Sequence, residues 1–384
     1  MLGPWPAAGC RSKRPDPDGR GLEAPTAPED ASQKSCTACG PIRAGSEHFF
    51  GELGENRSSS RAAVPCFAQP GPGLRLTDHS MRLEDPSKSP MLAQMKTRTT
   101  ALTQRAAIVT GASSGIGEAT ARRLAENGFA VAIIARRKDR LETLAMEIEE
   151  AGGRAIPIAA DLADEGATAG AAAEALEALG RIDLLVNNAG YSPGRAIEQI
   201  TRQELRHIFD VNLFSALQLI GAVTPQMRSQ GSGLIINVGS VAGLIPAPIA
   251  IPYAMTKIGM HAATEALRLE LAPFGIKLSL VIPGFVDTAV FDNARKESQH
   301  LRDDVTNPYR KMMFDLDDLA KKNLKNPLSP NDVANVILRA ATARRPKEQY
   351  YTPFSLKIQC VLLGLLPARL LDAVLLRVYK LEKP

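Results

Sequence analysis

The sequence predicts an α/β fold: a doubly wound parallel sheet in a single domain, with a disordered N-terminal extension and a helical C-terminal extension. Three observations carry this expectation. Short, continuous apolar runs alternate with helix-length segments from about Gln104 onward. Such runs suit strands buried on both faces, and intervening helices make the sheet parallel. The first run ends in a glycine-rich turn that leads directly into a helix. Other polar and glycine-containing motifs also follow the ends of strands, where sheets of this kind bind ligands.

The elements follow in order. Ala106-Ala107-Ile108-Val109 reads as the first strand, and Glu118 to Asn127 as a helix closed by Gly128. Ala130 to Ala135 is the second strand. Lys138 to Glu150 is an amphipathic helix stopped by Gly152-Gly153. Ala155 to Ala160 is the third strand and ends at Asp161. Leu184 to Val186, Leu234 to Val238 and Lys277 to Ile282 are the fourth, fifth and sixth. The α/β domain is expected over 100–345, with an amphipathic helical extension over 346–384.

Residues 1–94 have a different character. They are rich in Pro, Gly, Ser and Arg and lack an apolar period, so little apolar surface is available to offset ordering entropy. Disorder is expected there, with Met81, Met91 or Met95 as alternative translation starts. The Cys36-x-x-Cys39 pair has no second pair at ligand spacing and is read as coincidental; no metal site is expected. Four of the five cysteines precede residue 70, which argues against a disulfide framework and fits a reducing compartment. A net charge of +5 without a basic block gives no sign of a nucleic-acid partner. No apolar run of signal-peptide length opens the chain, so a cytoplasmic location is expected.

Gly111, Gly115 and Gly117 have the spacing G-x-x-x-G-x-G between strand and helix. A helix start offers unpaired N–H groups and partial positive charge to a pyrophosphate, and the glycines permit a close approach. Ser113, Ser114 and Ile116 complete the turn. An acidic residue after the second strand would bind a ribose 2′-hydroxyl; here stand Arg136 and Arg137, which can pair with a 2′-phosphate. NADP(H) is therefore expected in preference to NAD(H), although Ser114 occupies a place where a base would have added a second phosphate contact. Asp161, with Leu162 beside it, is placed to meet the adenine. Asn187 can bridge strands, while Asn188, Ala189 and Gly190 leave room for a cofactor.

Tyr253 and Lys257 lie one helical turn apart, thirteen residues beyond Ser240. Free tyrosine has a pKa of about 10. A nearby ammonium favours the phenolate, so Lys257 is expected to lower the pKa of Tyr253 and fit it for acid–base work near neutrality. The ordered set Thr110–Gly117, Asn187–Gly190, Asn212, Ser240, Tyr253-x-x-x-Lys257 and Pro283-Gly284 resembles the short-chain dehydrogenase/reductase family, over about residues 104–345. The glycine spacing resembles its compact branch. The resemblance implies a Rossmann fold, a nicotinamide cofactor and a catalytic tetrad of Asn212, Ser240, Tyr253 and Lys257. It also implies that Tyr253 and Lys257 touch the cofactor, that Pro283, Gly284 and Thr288 flank the nicotinamide, and that Asn212 holds a water linking the lysine to solvent. His207 and His261 are expected to be packing or surface residues.

The loop Leu244–Ile251 is apolar, as is the stretch after Gly284, which includes Phe285, Val286, Met313 and Phe314. Ordinary core packing explains these residues as well as a bulky lipophilic substrate does. The tail, with Leu365-Leu366-Pro367 and Leu370 to Leu375, resembles more loosely the end of retinol and hydroxysteroid dehydrogenases. No apolar segment there reaches the roughly 20 residues of a membrane span. An interfacial helix pair giving peripheral membrane contact, a flap over the pocket and a subunit contact all fit; a homo-oligomer is expected. The leading expectation is oxidation or reduction of a lipophilic alcohol or ketone, steroid-like, retinoid-like or long-chain. A 3-oxoacyl-thioester reductase and a non-catalytic NADP(H)-sensing protein are the alternatives.

Overall fold

A computed structural model describes residues 104–323 and 327–381. The N-terminal extension, its three methionines and the Cys36–Cys39 pair lie outside the described residues. Seven strands form one parallel sheet: β1 Arg105–Thr110, β2 Phe129–Ala135, β3 Arg154–Ala159, β4 Leu184–Asn187, β5 Gly233–Val238, β6 Ile276–Pro283 and β7 Gln349–Thr352. Their spatial order is β3-β2-β1-β4-β5-β6-β7. Every pair is parallel. The order reverses between β1 and β4, and the crevice at their carboxyl ends is where such sheets take ligands.

The side-chain alternation of the strands sorts the core into two layers. Ala107 and Val109 of β1, with Phe129, Val131 and Ile133 of β2, join Leu124, Leu141, Val333 and Ile337 on one face. Ile108, Ala132 and Ile134 join Ala172, Leu219, Val223 and Leu271 on the other. Truncating one fully buried member such as Ile133 to Ala should cost about 2–5 kcal/mol.

The helices that matter for the site are α1 (Gly115–Glu126), which leaves the glycine turn, and α2 (Lys138–Glu150) after β2. Next come α3 (Glu165–Leu179), started by the Asp164 carboxylate accepting the Ala167 N–H at 2.6 Å, and α4 (Arg202–Phe209), opened by a Thr201–Glu204 capping box. A π-helical turn, Asp210–Phe214, joins α4 to α5 (Ser215–Gln230). α6 (Ile251–Leu271) carries the tyrosine and lysine. The later helices are α7 (Ala289–Glu297), α8 (Gln299–Asp303), α9 (Arg310–Asn323), α10 (Pro330–Thr342), α11 (Phe354–Gly364) and α12 (Ala368–Val378).

The six strands anticipated from sequence stand within a residue or so of their expected bounds. The C-terminal extension differs. It was expected to be helical from 346, yet Gln349–Thr352 pairs with Leu280–Pro283 and completes the sheet. This edge strand is short and largely half-buried, so it lacks the continuous apolar signature of its neighbours. Only α11 and α12 match the helical expectation.

Candidate active site

The glycine turn is built around Thr110, the last residue of β1. Its hydroxyl accepts the N–H of Asn188 at 2.9 Å and of Ala189 at 3.0 Å, and the Asn188 side chain donates to the Thr110 carbonyl at 2.9 Å. The ends of β1 and β4 are thereby fixed to each other. Gly111 (φ 66°) and Gly115 (φ 61°) adopt left-handed backbone conformations that disfavour a side chain. At Gly117 the requirement is space: a Cβ would lie 2.3 Å from the Gly111 carbonyl oxygen and 2.6 Å from the Asn188 amide nitrogen. A turn with glycine at three positions, at the start of a 12-residue helix, fits a pyrophosphate. Asn188 braces this turn, while Ile116 packs into the core. Gly190 lies against Asn212, at whose Oδ1 an added Cβ would sit 3.3 Å away.

The two arginines after β2 have different surroundings. Arg137 folds back over the turn and donates to the hydroxyls of Ser113 at 2.9 Å and Ser114 at 2.7 Å. A base from the next strand thus stands beside Ser114, where the glycine turn itself lacks one. Arg136 is exposed beside it. Asp161 is exposed, and its carboxylate accepts the Ala163 N–H at 3.1 Å. The Leu162 side chain is buried in the core, so a cofactor contact from that position would be a backbone one. Thr288 lies across the cleft, with its methyl group 3.4 Å from where a Gly115 Cβ would stand. Pro283 ends β6, and the Gly284 N–H donates to the Thr352 carbonyl at 2.9 Å, tying this flank to β7.

Asn212, Ser240, Tyr253 and Lys257 come from three elements. Ser240 leaves β5 in an extended conformation, and its hydroxyl oxygen accepts the Ala242 N–H at 3.1 Å. That bond occupies a lone pair of the oxygen and leaves its one O–H to donate toward Tyr253 or, in its place, a bound oxygen. One face of α6 carries Tyr253 and Lys257. Lys257 is buried, its Nζ donates to the Val238 carbonyl at 2.8 Å, and it lies 5.7 Å from the Tyr253 ring centre.

The titration of this pair departs from the expectation that the ammonium would make the phenol acidic. Burial pushes the Tyr253 phenol above its ordinary value, and a hydrogen bond from Ser240 pulls only part of the way back. Burial also brings Lys257 down to about 8. Desolvation is the largest cause at both groups. Tyr253 is therefore protonated at neutral pH, the state a proton donor requires.

The Asn212 side chain is held within the protein. Its amide nitrogen donates to the Tyr191 carbonyl at 2.8 Å and the Thr256 hydroxyl at 3.2 Å, and its oxygen accepts the Tyr191 N–H at 3.0 Å. These bonds join the loop after β4 to α6 beside Tyr253, whose carbonyl accepts from Thr256 at 2.7 Å. The π-helical turn carries Asn212 at its centre; one extra residue in a turn redirects a side chain, and the sequence gives no periodic sign of it.

Asn187 bridges β4 to β5, as expected from its place in the sequence, by donating to Asn237 at 2.9 Å. Sequence reasoning missed Asn237 and Thr264: Asn237 donates to Thr264 of α6 at 2.8 Å. This buried polar chain secures α6 to the sheet. His207 packs its ring 5.6 Å from that of Tyr191. Among the described residues no group of three or more His, Cys, Asp or Glu is arranged to hold a metal ion.

A glycine-rich turn at the switch point, next to a Ser–Tyr–Lys group whose serine and lysine are buried, defines an oxidoreductase of the dinucleotide-binding α/β class. The chain belongs to the short chain dehydrogenase family, whose model matches residues 105–299, half of the chain. It is 37% identical over 189 residues to a 3-oxoacyl-(acyl-carrier-protein) reductase of Staphylococcus aureus, covering 49% of this chain and 77% of the relative. A metagenomic short-chain oxidoreductase in complex with NADP is 30% identical, with TM-score 0.52 over 64% of this chain and 96% of that one. A short-chain dehydrogenase/reductase from Burkholderia phymatum in complex with NAD is 27% identical, with TM-score 0.60 over 68% and 93%.

Proposed function

We propose that the protein transfers hydride between NADP(H) and a lipophilic alcohol or ketone, with Tyr253 as the general acid and base. The observation that carries this reading is the buried Lys257, 5.7 Å from the Tyr253 ring centre and bonded to the Val238 carbonyl, beside Ser240 at the carboxyl end of β5. A bound nicotinamide supplies or accepts the hydride. Ser240 donates its O–H to the substrate oxygen and orients it. In reduction Tyr253 releases its phenolic proton to that oxygen, and in oxidation it takes the proton back. Lys257 holds positive charge near the phenolate as it forms. Solved relatives carry NADP or NAD; Arg136 and Arg137 favour NADP here, because a 2′-phosphate suits two guanidinium groups better than a hydroxyl does.

The lipophilic substrate is supported by Leu244 and Ile251, both exposed in the loop between Ser240 and Tyr253, and by Phe285 and Phe314 after β6. Val286 and Met313, in contrast, are buried and act as packing. In the same loop Ile249 has φ 62°, an uncommon conformation for a β-branched residue. The helix α11 starts next to Gly284, where Leu356 would meet an added Cβ at 3.7 Å. Phe354, Ile358, Leu362, Leu365 and Leu370 of the tail are exposed. We place this surface against a membrane, peripherally, with the protein in the cytoplasm. The one described helical stretch with the length and apolarity of a span, Arg202–Gln230, contributes Leu219, Val223 and Met227 to the core instead. The exposed row Met255, Ile258, Ala262 and Leu269 on α6 supports a homo-oligomer.

The test is NADPH consumption against steroids, retinoids, long-chain ketones and 3-oxoacyl thioesters. Turnover confined to acyl thioesters would favour the alternative of a 3-oxoacyl-thioester reductase, to which the Staphylococcus aureus relative lends weight. NADPH binding without turnover across the panel would favour a sensing protein.

A further inference from the structure

His261 lies one helical turn beyond Lys257 on α6, and the tetrad does not include it. Its Nε2 accepts the Ser240 backbone N–H at 3.5 Å, a long bond. The stronger constraint is packing. A Cβ on Gly239 would lie 2.4 Å from Nε2, and one on Gly243 would lie 2.7 Å from Cε1. The imidazole therefore fills the space under the turn that carries Ser240, and the glycines on either side are what let it in. A ring accepting at Nε2 carries its hydrogen on Nδ1. Burial and the Lys257 ammonium hold the imidazole down to about 4, so it keeps that acceptor throughout the neutral range.

We infer that His261 is a positioning residue that sets the Ser240 hydroxyl against Tyr253 and the substrate oxygen. It does so by supporting the backbone from Gly239 to Gly243 from below, and it acts only through Ser240. Reaction rates fall steeply when a donor is misplaced by an ångström, by up to roughly 100-fold. The inference rests on the tetrad reading of Ser240, and its test separates the two.

The test is a double-mutant cycle on full-length protein, with kcat, KM, NADPH Kd and melting temperature measured for each variant. His261→Leu should lower kcat by roughly 10- to 100-fold. NADPH affinity should stay within about twofold, because the ring does not touch the glycine turn. His261→Gln, whose side chain can place an acceptor near the Nε2 position, should recover much of the loss. In a Ser240→Ala background, His261→Leu should change kcat by less than about twofold. An undiminished loss in that background, or unchanged kcat in His261→Leu, would overturn the inference. Should His261→Leu fail to fold, the same cycle with His261→Ala, which removes the ring without adding an acceptor, decides by the same criterion. Full activity in Ser240→Ala alone would overturn the tetrad reading as well.

Discussion

The two flanks of the crevice are built in opposite ways. On the cofactor flank, polar groups fix the main chain: Thr110 and Asn188 tie β1 to β4, and Arg137 clamps both serines of the turn. On the substrate flank, beyond Gly284, the chain runs through short helices and exposes Phe285, Phe314 and Phe354. The first flank has a shape determined by its own bonds; the second offers exposed apolar area. A dinucleotide has one pyrophosphate and needs one cradle, whereas a substrate is selected by surfaces that vary freely around the same chemistry. The reaction class can therefore be read from one flank, and the substrate depends on the other.

The sharpest way to break this division is at the residue between the flanks. Tyr253→Phe should reduce turnover by roughly 10²–10⁴-fold, the span of a lost general acid, while NADPH affinity changes by less than about twofold. Stopped-flow turnover with fluorescence titration of NADPH measures both. An equal loss in both would mean that the tyrosine shapes the cofactor flank and that the division is false.

Next in size is the cradle. Gly117→Ala inserts a methyl group against backbone, and backbone there is held by Asn188, so relief requires moving both strand ends. Overpacking of this kind costs about 1–3 kcal/mol. NADPH binding should weaken by up to about 100-fold, with the loss appearing in Kd and KM rather than in kcat at saturating cofactor. Calorimetric titration checks it. A smaller effect, about tenfold because the site is exposed and screened, is expected on the ratio of NADP to NAD use in Arg136→Ala. Arg137→Ala should also slacken the serine turn and weaken both cofactors together, which separates the two arginines.

How much of this was legible in the sequence follows from the same contrast. The strands β1 to β6 were visible because burial on both faces demands continuous apolar residues. The glycines and the Tyr–Lys spacing were visible because steric and helical constraints act between near neighbours. Four features were hidden. β7 was concealed by its short, half-polar edge. The hydrogen bonds that hold Asn212 depend on the distant Tyr191 and Thr256, and on one extra residue in a helical turn. The direction of the Tyr253 shift depended on burial, which spacing cannot weigh against a nearby charge. His261 was dismissed because nothing local shows that Gly239 and Gly243 surround it.

The smallest effect concerns pH, and its sign separates catalysis from folding. Lys257 titrates at about 8, so its ammonium is largely intact at pH 7 and half lost at pH 8. If that charge supports Tyr253, kcat for reduction should fall by about twofold between those values and more steeply above. Stability should move the other way. The folded-state value lies below the ordinary 10.5, so between about 8 and 10.5 the unfolded chain binds more protons and Lys257 contributes rising stability as pH rises. An activity loss above pH 8 that tracks a falling melting temperature would reflect unfolding elsewhere. A loss at constant or rising melting temperature, with NADPH affinity preserved, would assign the charge to the chemical step.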